Sequence, residues 1–537
     1  MFSFSSSANS LTGGLALLIL SGGIAQAQSG YREVTQPTTL TFGDSPAQAQ
    51  TFAPAPQSSP PIVQGSGSYN AAVSQPSQIV DDTGCYQCAV EPAPAPAPPK
   101  KDKPNPVAKS HKTVFYANDF SYLDDPNNSS FGLGDNLKRL GQRRNLDIGG
   151  QFRLRLNTEN GQGQQAGFTR FQDTDNQFLL ARLRLYADWQ VSDRIRVFAE
   201  GIYADVVAQN EEYIPRPIDE NFGDFLNLFA DIQLNDNTSV RIGRQELLFG
   251  DQRLISPLDW ANTRRTFTGV RLSSKYENVN ADLFYTQLVP PNVDEFDTPN
   301  EDINFFGGYL TFTQLENKVV DLYYLGLINE TGVDTDLERV NTWGARITGS
   351  TERKLLYDGE FAAQSGTRNV TDQDIVAFSG TAGVGYKFAN RRWKPALWFF
   401  YDFASGDDAN DASEFTRFNE LFPLGHKYLG FIDAVTRGNV QSPNVRLALA
   451  PSNRLKLLFW YYNFQTDEDT DIITSLGATP DQDLTSSDFG NELDFTASYQ
   501  LTPRSNVLFG YSRFWRGARI IGDTDADFAY LQWQTNF

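Results

Sequence analysis

A chain of 537 residues with a formal net charge of −20 is a poor match for nucleic acid, which selects a basic footprint. Beyond residue 28 no run of 18 or more apolar residues occurs, so helical membrane spans are excluded and only a closed β-barrel could cross a bilayer. Aromatic residues make up 13% of the chain and glycine occurs 42 times, a usage that leans to pleated structure.

Residues 1–27 read as a signal peptide. Leu11 to Leu20 is a short apolar run, and Ala25-Gln26-Ala27 supplies small residues before a cleavage point at Gln28. The leading MFSFSSSANS has no Lys or Arg, but the apolar run is too short to anchor. Residues 28–112 are rich in Gln, Pro, Ser and Ala and include EPAPAPAPPKKDKPNP. Such a segment cannot bury enough apolar surface to offset chain ordering, and it is expected to be a disordered periplasmic linker. It holds Cys85 and Cys88, the only cysteines. A zinc site would need about four ligands, with only His111 and His426 to add. A redox role would want a thioredoxin-like context. A local disulfide or an ordinary exposed pair is the reading that remains. Residues 113–145 form a pre-barrel segment.

From residue 146 apolar and polar residues alternate over stretches longer than most soluble strands. In LDIGGQFRLRL, Phe152, Leu154 and Leu156 share one face and Gln151, Arg153 and Arg155 the other. The same holds for FLLARLRLYADWQV, where Arg182 and Arg184 oppose Leu183 and Leu185. Strands are predicted at 146–157, 178–191, 194–206, 224–235, 238–249, 264–275, 278–288, 303–314, 318–330, 338–350, 353–366, 374–389, 392–405, 441–451, 453–465, 488–502, 504–515 and 525–537. That is about eighteen, an even number, as single-chain bacterial barrels require. Short connections such as Val191 to Arg194 and Leu501 to Arg504 carry turn residues. Others are long, notably 406–440 and 466–487, matching short periplasmic turns and long extracellular loops. The loop at 406–440 contains FNELFPLGHKYLGF, too apolar to be solvated, and is predicted to fold over or into the pore. The chain stops on Phe537 inside an amphipathic strand, as expected where the last strand must pair with the first so that no edge meets lipid.

The fold expected is therefore an all-β transmembrane antiparallel barrel over 146–537. A barrel of this size leaves an aqueous lumen, and inward polar residues set what passes. Alternation predicts Arg153, Arg155, Arg182, Arg184, Arg196, Arg244, Arg265 and Arg271 inward on the first six strands. Arginine suits planar, bidentate contact with carboxylates. Later strands present Asp282, Asp321, Asp358, Glu360, Asp402, Glu492 and Asp494 against Arg346, Lys387, Arg446 and Lys456. The competing explanation is that these charges form salt-bridge ladders that brace the wall. Asp467, Asp469 and Asp471 mimic a calcium loop, but Ile472 stands where the turn glycine belongs and no Glu closes it. No catalytic triad is credible, so no enzyme and no cofactor are expected.

Residues 241–272 read RIGRQELLFGDQRLISPLDWANTRRTFTGVRL. This stretch resembles the alginate-export family of outer-membrane β-barrel porins, in which GRQEL, YGDQRL, DW, NT and RTF recur in that order. FNELFPLGHKYLGFID at 418–433 and GNELDFTASYQL at 490–501 are similar to further segments of that family, and YANDFSYLDDP and GDNLKRL to its pre-barrel segments. The resemblance spans about residues 113–537. It implies an eighteen-stranded barrel through which a secreted acidic polysaccharide leaves by an arginine-lined constriction. Matching within the first segment carries this role to Arg244, Glu246, Asp251, Arg253, Asp259, Arg265 and Arg271. Alternation then places Arg244 and Glu246 inward, with Asp251 and Arg253 at the rim. The function expected is export of alginate or a similar polyuronate across the bacterial outer membrane. A general or anion-preferring uptake porin on the same fold is the alternative. Partners would be the polymer, outer-membrane lipid and lipopolysaccharide, the barrel-assembly machinery and periplasmic polysaccharide-synthesis proteins.

Overall fold

A computed structural model describes residues 107–537 other than 127, 129–130, 331–337, 369–370, 372 and 474–478. The expected signal peptide, the linker as far as residue 106, and Cys85 and Cys88 lie outside the described residues. The barrel strands are β1 (Leu146–Asn160), β2 (Asp175–Ser192), β3 (Ile195–Gln209), β4 (Asn221–Asn235), β5 (Thr238–Gln245) and β6 (Thr266–Tyr276). They continue with β7 (Val279–Val289), β8 (Ile303–Leu315), β9 (Lys318–Asn329), β10 (Glu338–Ser350), β11 (Leu355–Arg368) and β12 (Gln373–Lys387). The last are β13 (Ala396–Ala404), β14 (Val440–Leu449), β15 (Leu455–Gln465), β16 (Asp488–Thr502), β17 (Ser505–Arg516) and β18 (Ala526–Asn536). Each pairs antiparallel with its chain neighbour, and β18 returns to β1 from Gln151↔Asn536 to Asn160↔Asp527. This closed eighteen-stranded barrel leaves no open sheet edge. Phe537 completes the seam: its N–H donates to the Gly150 carbonyl and its carbonyl accepts from the Gly150 N–H, each at 3.0 Å.

Alternation sorts each strand. On β2, Leu185 and Trp189 are exposed on the outer face while Arg182, Arg184 and Tyr186 are buried inside. The outer faces elsewhere carry residues such as Leu283, Tyr285, Phe361, Val384, Phe399 and Leu531, all exposed. Polar and charged side chains crowd the interior. That inversion of the usual apolar-in pattern is what a barrel wall between lipid and lumen demands.

The predicted strands all form, with one informative boundary. β5 ends at Gln245 rather than 249, because the chain there leaves the wall and enters the lumen. Residues 246–265 and 405–439 fold inward from the long-loop end. The pre-barrel segment enters from the short-turn end, where it carries a helix (Val107–Ser110) and a turn of 3-10 helix (Phe115–Ala117). Near that end Arg504, at the β16–β17 turn, pairs with Asp135 at 2.6 Å, and Lys138 Nζ donates to the Phe537 carbonyl at 3.3 Å.

Candidate functional site

On β1 and β2 the register sets Arg153 directly opposite Arg182, an arrangement of like charges that costs stability unless other groups receive them. Residues 259–262 are the receivers. Arg153 donates to the carbonyls of Asp259 (2.8 Å) and Ala261 (3.2 Å) and to Asn262 Oδ1 (3.1 Å). Arg182 donates to the same two carbonyls and pairs with the Asp259 carboxylate at 2.7 Å. Arg155 donates to the Trp260 carbonyl at 2.8 Å and lies 3.8 Å over its indole. Among the described residues neither Arg153 nor Arg155 forms an ion pair. Both are buried against neutral carbonyls.

One layer toward the short-turn end, Arg184 pairs with Glu200 at 2.6 Å and reaches Glu246 at 3.6 Å. Asn227 donates to both carboxylates at 2.9 Å. Arg264 joins Glu246 to Asp259. Burial alone would raise the Asp259 carboxyl, but Arg264 and Arg182 overcome it and hold it well below the usual carboxylate range. The pre-barrel segment plugs the space beneath. The Thr113 carbonyl accepts from Arg264 (3.1 Å) and Arg184 (3.5 Å), and the Tyr116 carbonyl from Arg196 (2.7 Å). Phe115 lies under the Arg184 guanidinium at 3.7 Å, and Tyr116 packs edge-on against Phe198 and Phe229. Arg196 also pairs with Asp188 at 2.7 Å.

Two placements differ from the sequence reading. Arg244 does not face the lumen: it shares a face with Ile242 (49% exposed) and stands opposite Leu228 (43% exposed). Its guanidinium binds Asp224 and the Asp297 carbonyl near the long-loop end. The inward residue of that strand is Arg241, opposite Arg271, where each meets a carboxylate, Asp231 at 2.7 Å and Asp282 at 2.8 Å. Alternation gives the opposite phase only if Glu246 continues the strand, whereas the strand ends at Gln245 and Glu246 begins the inward turn. Asp251 and Arg253 are not at the rim either. Gly250, at φ +54, turns the chain deep into the lumen where a Cβ would collide with the Tyr309 hydroxyl.

Arg253 there crosses to β11, pairing with Asp358 at 2.6 Å and Glu360 at 3.0 Å. Arg346 on β10 pairs with Asp321 at 3.0 Å, and Lys427 with Asp251 at 3.2 Å. Gaps beside Arg253, Tyr323 and Glu360 hold about 10 Å³ each, room for one water. Arg265 donates to the Pro423 carbonyl at 3.2 Å and so fastens the two long inserts together.

The loop at 405–439 lies inside the barrel, as its apolar sequence predicted. Leu421, Leu424, Leu429, Phe431 and Ile432 are buried. His426 stacks between Trp260 (3.7 Å) and Phe431 (4.6 Å) with Nδ1 3.0 Å from Asp433. Burial lowers its pKa against the pull of Asp433, which keeps the imidazole neutral. The sequence reading missed Arg264, the hub of the central network, although the Arg264-Arg265 doublet marked it. It also missed Arg170, which donates to the Ile432 carbonyl at 2.8 Å, and Arg437, paired with Asp402 at 3.1 Å. Both lie in connections, where period-two alternation carries no information. Among the described residues no cluster of His, Cys, Asp and Glu could hold a metal ion.

A closed barrel of eighteen antiparallel strands with an apolar exterior and a charged, loop-filled interior defines a porin-type outer-membrane channel. A family model described as alginate export matches residues 144–533, and the chain belongs to that family. Among solved structures it is similar to a BenF-like porin from Pseudomonas fluorescens Pf-5, at 12% identity and a TM-score of 0.52 over 73% of this chain and 98% of that one. It is similar also to Pseudomonas aeruginosa OccK8 (OprE), at 10% identity and a TM-score of 0.50 over 73% and 98%. At such identities the likeness is one of fold. No curated protein matches the sequence.

Proposed function

We propose that this channel carries an anionic polysaccharide, alginate or a related polyuronate, outward across the bacterial outer membrane along the arginines of β1 and β2. The observation that carries the reading is the state of Arg153 and Arg155. Both guanidiniums are buried, both donate to backbone carbonyls of the 259–262 connection rather than to carboxylates, and the Nε of each has no hydrogen-bond partner. A polymer carboxylate is a stronger acceptor than a neutral carbonyl, so a uronate can take the place of the Trp260 and Ala261 carbonyls on these donors and give each buried cation a counter-charge. Arg182 and Arg184 extend the row, paired with Asp259 and Glu200, and Arg264 joins Glu246 to Asp259 beside them. Arg196, Arg253 and Arg271 are already held by carboxylates and serve the wall. Chain synthesis on the periplasmic side would supply the polymer, and the protein needs no cofactor for passage.

The test pairs Arg153→Gln with Arg155→Gln in planar bilayers. Anion preference and blockade by mannuronate or guluronate oligomers should both fall. The difference from wild type should shrink as salt rises, because screening acts beyond about 8 Å at physiological ionic strength. In cells lacking their own exporter, wild type should restore polymer secretion and the double variant should not. An unaltered reversal potential with a lowered melting point would reduce these arginines to braces and leave a plain uptake porin as the reading.

A further inference from the structure

On the other side of the β18–β1 seam from the arginine row, the wall of β13 to β17 has a different composition. The inward side chains of β13 include Trp398 and Phe400 beside Asp402, those of β15 include Trp460, Tyr462 and Phe464, and Phe514 follows on β17. Their rings form one continuous series. Trp398 stacks on Phe400 at 5.1 Å, Phe400 meets Trp460 at 6.1 Å, Trp460 stacks on Tyr462 at 5.2 Å, Tyr462 on Phe464 at 5.3 Å, and Phe464 on Phe514 at 6.0 Å. The intervening strands present polar groups at the same heights. Register aligns Trp398, Arg446, Trp460 and Asp494 in one row and Phe400, Asn444, Tyr462 and Glu492 in the next. Columns of rings thus alternate with columns of polar groups, and the Arg446 guanidinium lies over Trp398, Phe400 and Trp460 at 5.2, 5.0 and 4.7 Å.

We infer that this wall is a binding track for the pyranose rings of a saccharide chain, separate from the arginine row and acting on the ring of the sugar rather than on its carboxylate. A pyranose offers an apolar face of C–H groups and an equatorial rim of hydroxyls, and an aromatic column flanked by Asn444, Ser442, Glu492 and Asp494 answers both. The loop at 405–439 covers the track in this closed form, but it is an incomplete partner. The hydroxyls of Ser442 and Tyr462, both fully buried, have no hydrogen-bond partner. Glu492 and Asp494 stand together with no ion pair among the described residues. Of the Glu492 oxygens, one accepts from the Ile432 N–H at 2.8 Å, and the carboxyl shares a hydrogen bond with Asp494. A wall whose sole task was to seat an apolar loop would carry apolar or paired groups at these positions, since each orphan is destabilising. Sugar hydroxyls entering as the loop withdraws would supply the missing partners. The inference rests on the reading that a polysaccharide passes this lumen, and it adds that the ring faces are held on one wall while the carboxylates are held on the other.

The experiment compares the full chain with Trp460→Leu, Tyr462→Phe and Arg153→Gln, using guluronate oligomers and neutral glucose oligomers of equal length as blockers in planar bilayers. Polymer secretion from cells provides a second readout. Trp460→Leu should shorten the blockade time of both oligomers by roughly tenfold, equivalent to about 1.4 kcal/mol. Tyr462→Phe, which keeps the ring and removes the orphaned hydroxyl, should shorten it by about twofold to threefold, the effect of a weak neutral hydrogen bond. Arg153→Gln should weaken the uronate alone. If the uronate still blocks and is weakened by Arg153→Gln but not by Trp460→Leu, the track is overturned and the export reading stands. If no oligomer blocks any form and secretion is not restored, both are overturned.

Discussion

Two groups of lumen arginines look alike in sequence and differ in what receives them. Arg153 and Arg155, on β1, donate to carbonyls of an inserted loop. Arg253 and Arg346, on the far side, are held by Asp358, Glu360 and Asp321. A buried guanidinium on a carboxylate is costly to disturb, because removing either partner strands the other charge. One on a carbonyl leaves only a neutral acceptor behind. The contrast separates the arginines that brace this barrel from those that a ligand can claim.

The largest expected effect comes from removing what now occupies the basic side. A chain lacking residues 28–106 should conduct as the full protein does and keep a heat-modifiable core. Extending the deletion through 124 removes Thr113, Phe115 and Tyr116 from Arg184, Arg196 and Arg264, and single-channel conductance should rise steeply. Equal conductance in the two deletions would mean that the pre-barrel segment does not limit the pore. On the braced side, Arg253→Met should destabilise the barrel by about 3–5 kcal/mol, since Asp358 and Glu360 lose their shared cation. Thermal unfolding in detergent reads this directly.

The matching change on the basic side is milder. Arg153→Met should cost about 0.5–1.5 kcal/mol, because Arg182 still donates to the Asp259 and Ala261 carbonyls that Arg153 abandons. A loss as large as that of Arg253→Met would erase the distinction between the two groups. The smallest effect concerns pH. Burial, with help from Lys138 and Arg504, pushes His111 down from 6.5 to about 4. The docked segment therefore favours neutral His111, and its hold is complete above pH 6.5 and weakens as pH falls toward 4, where the unfolded form binds the proton first. Protease cleavage near residues 107–120 should be faster at pH 5 than at pH 7.5, and His111→Phe should flatten that dependence.

Much of the wall was legible because its signal is local. The alternation in LDIGGQFRLRL and FLLARLRLYADWQV assigns Arg153, Arg155, Arg182 and Arg184 to the lumen without reference to any distant residue, and all four are buried there. The reading failed where alternation ends. Arg244 lies on the outer face because its strand ends at Gln245, before Glu246, and nothing in GDQRL states how far the chain carrying Asp251 and Arg253 dives into the lumen. Arg264 escaped notice because its partners, Glu246 and Asp259, lie 18 and 5 residues away in an irregular segment.

By itself, then, the amino-acid sequence determined the barrel: eighteen amphipathic strands, short turns opposite long loops, a terminal strand that seals the seam, and a charged inner face. Side-chain alternation is a property of each strand alone and survives translation into three dimensions unchanged. Only the tertiary structure decided that the lumen is filled, and by which segments. The contacts that settle it join Arg153 to Asp259, Arg265 to Pro423 and Thr113 to Arg264, pairs separated by 106, 158 and 151 residues. Such contacts exist only once the wall has closed around them.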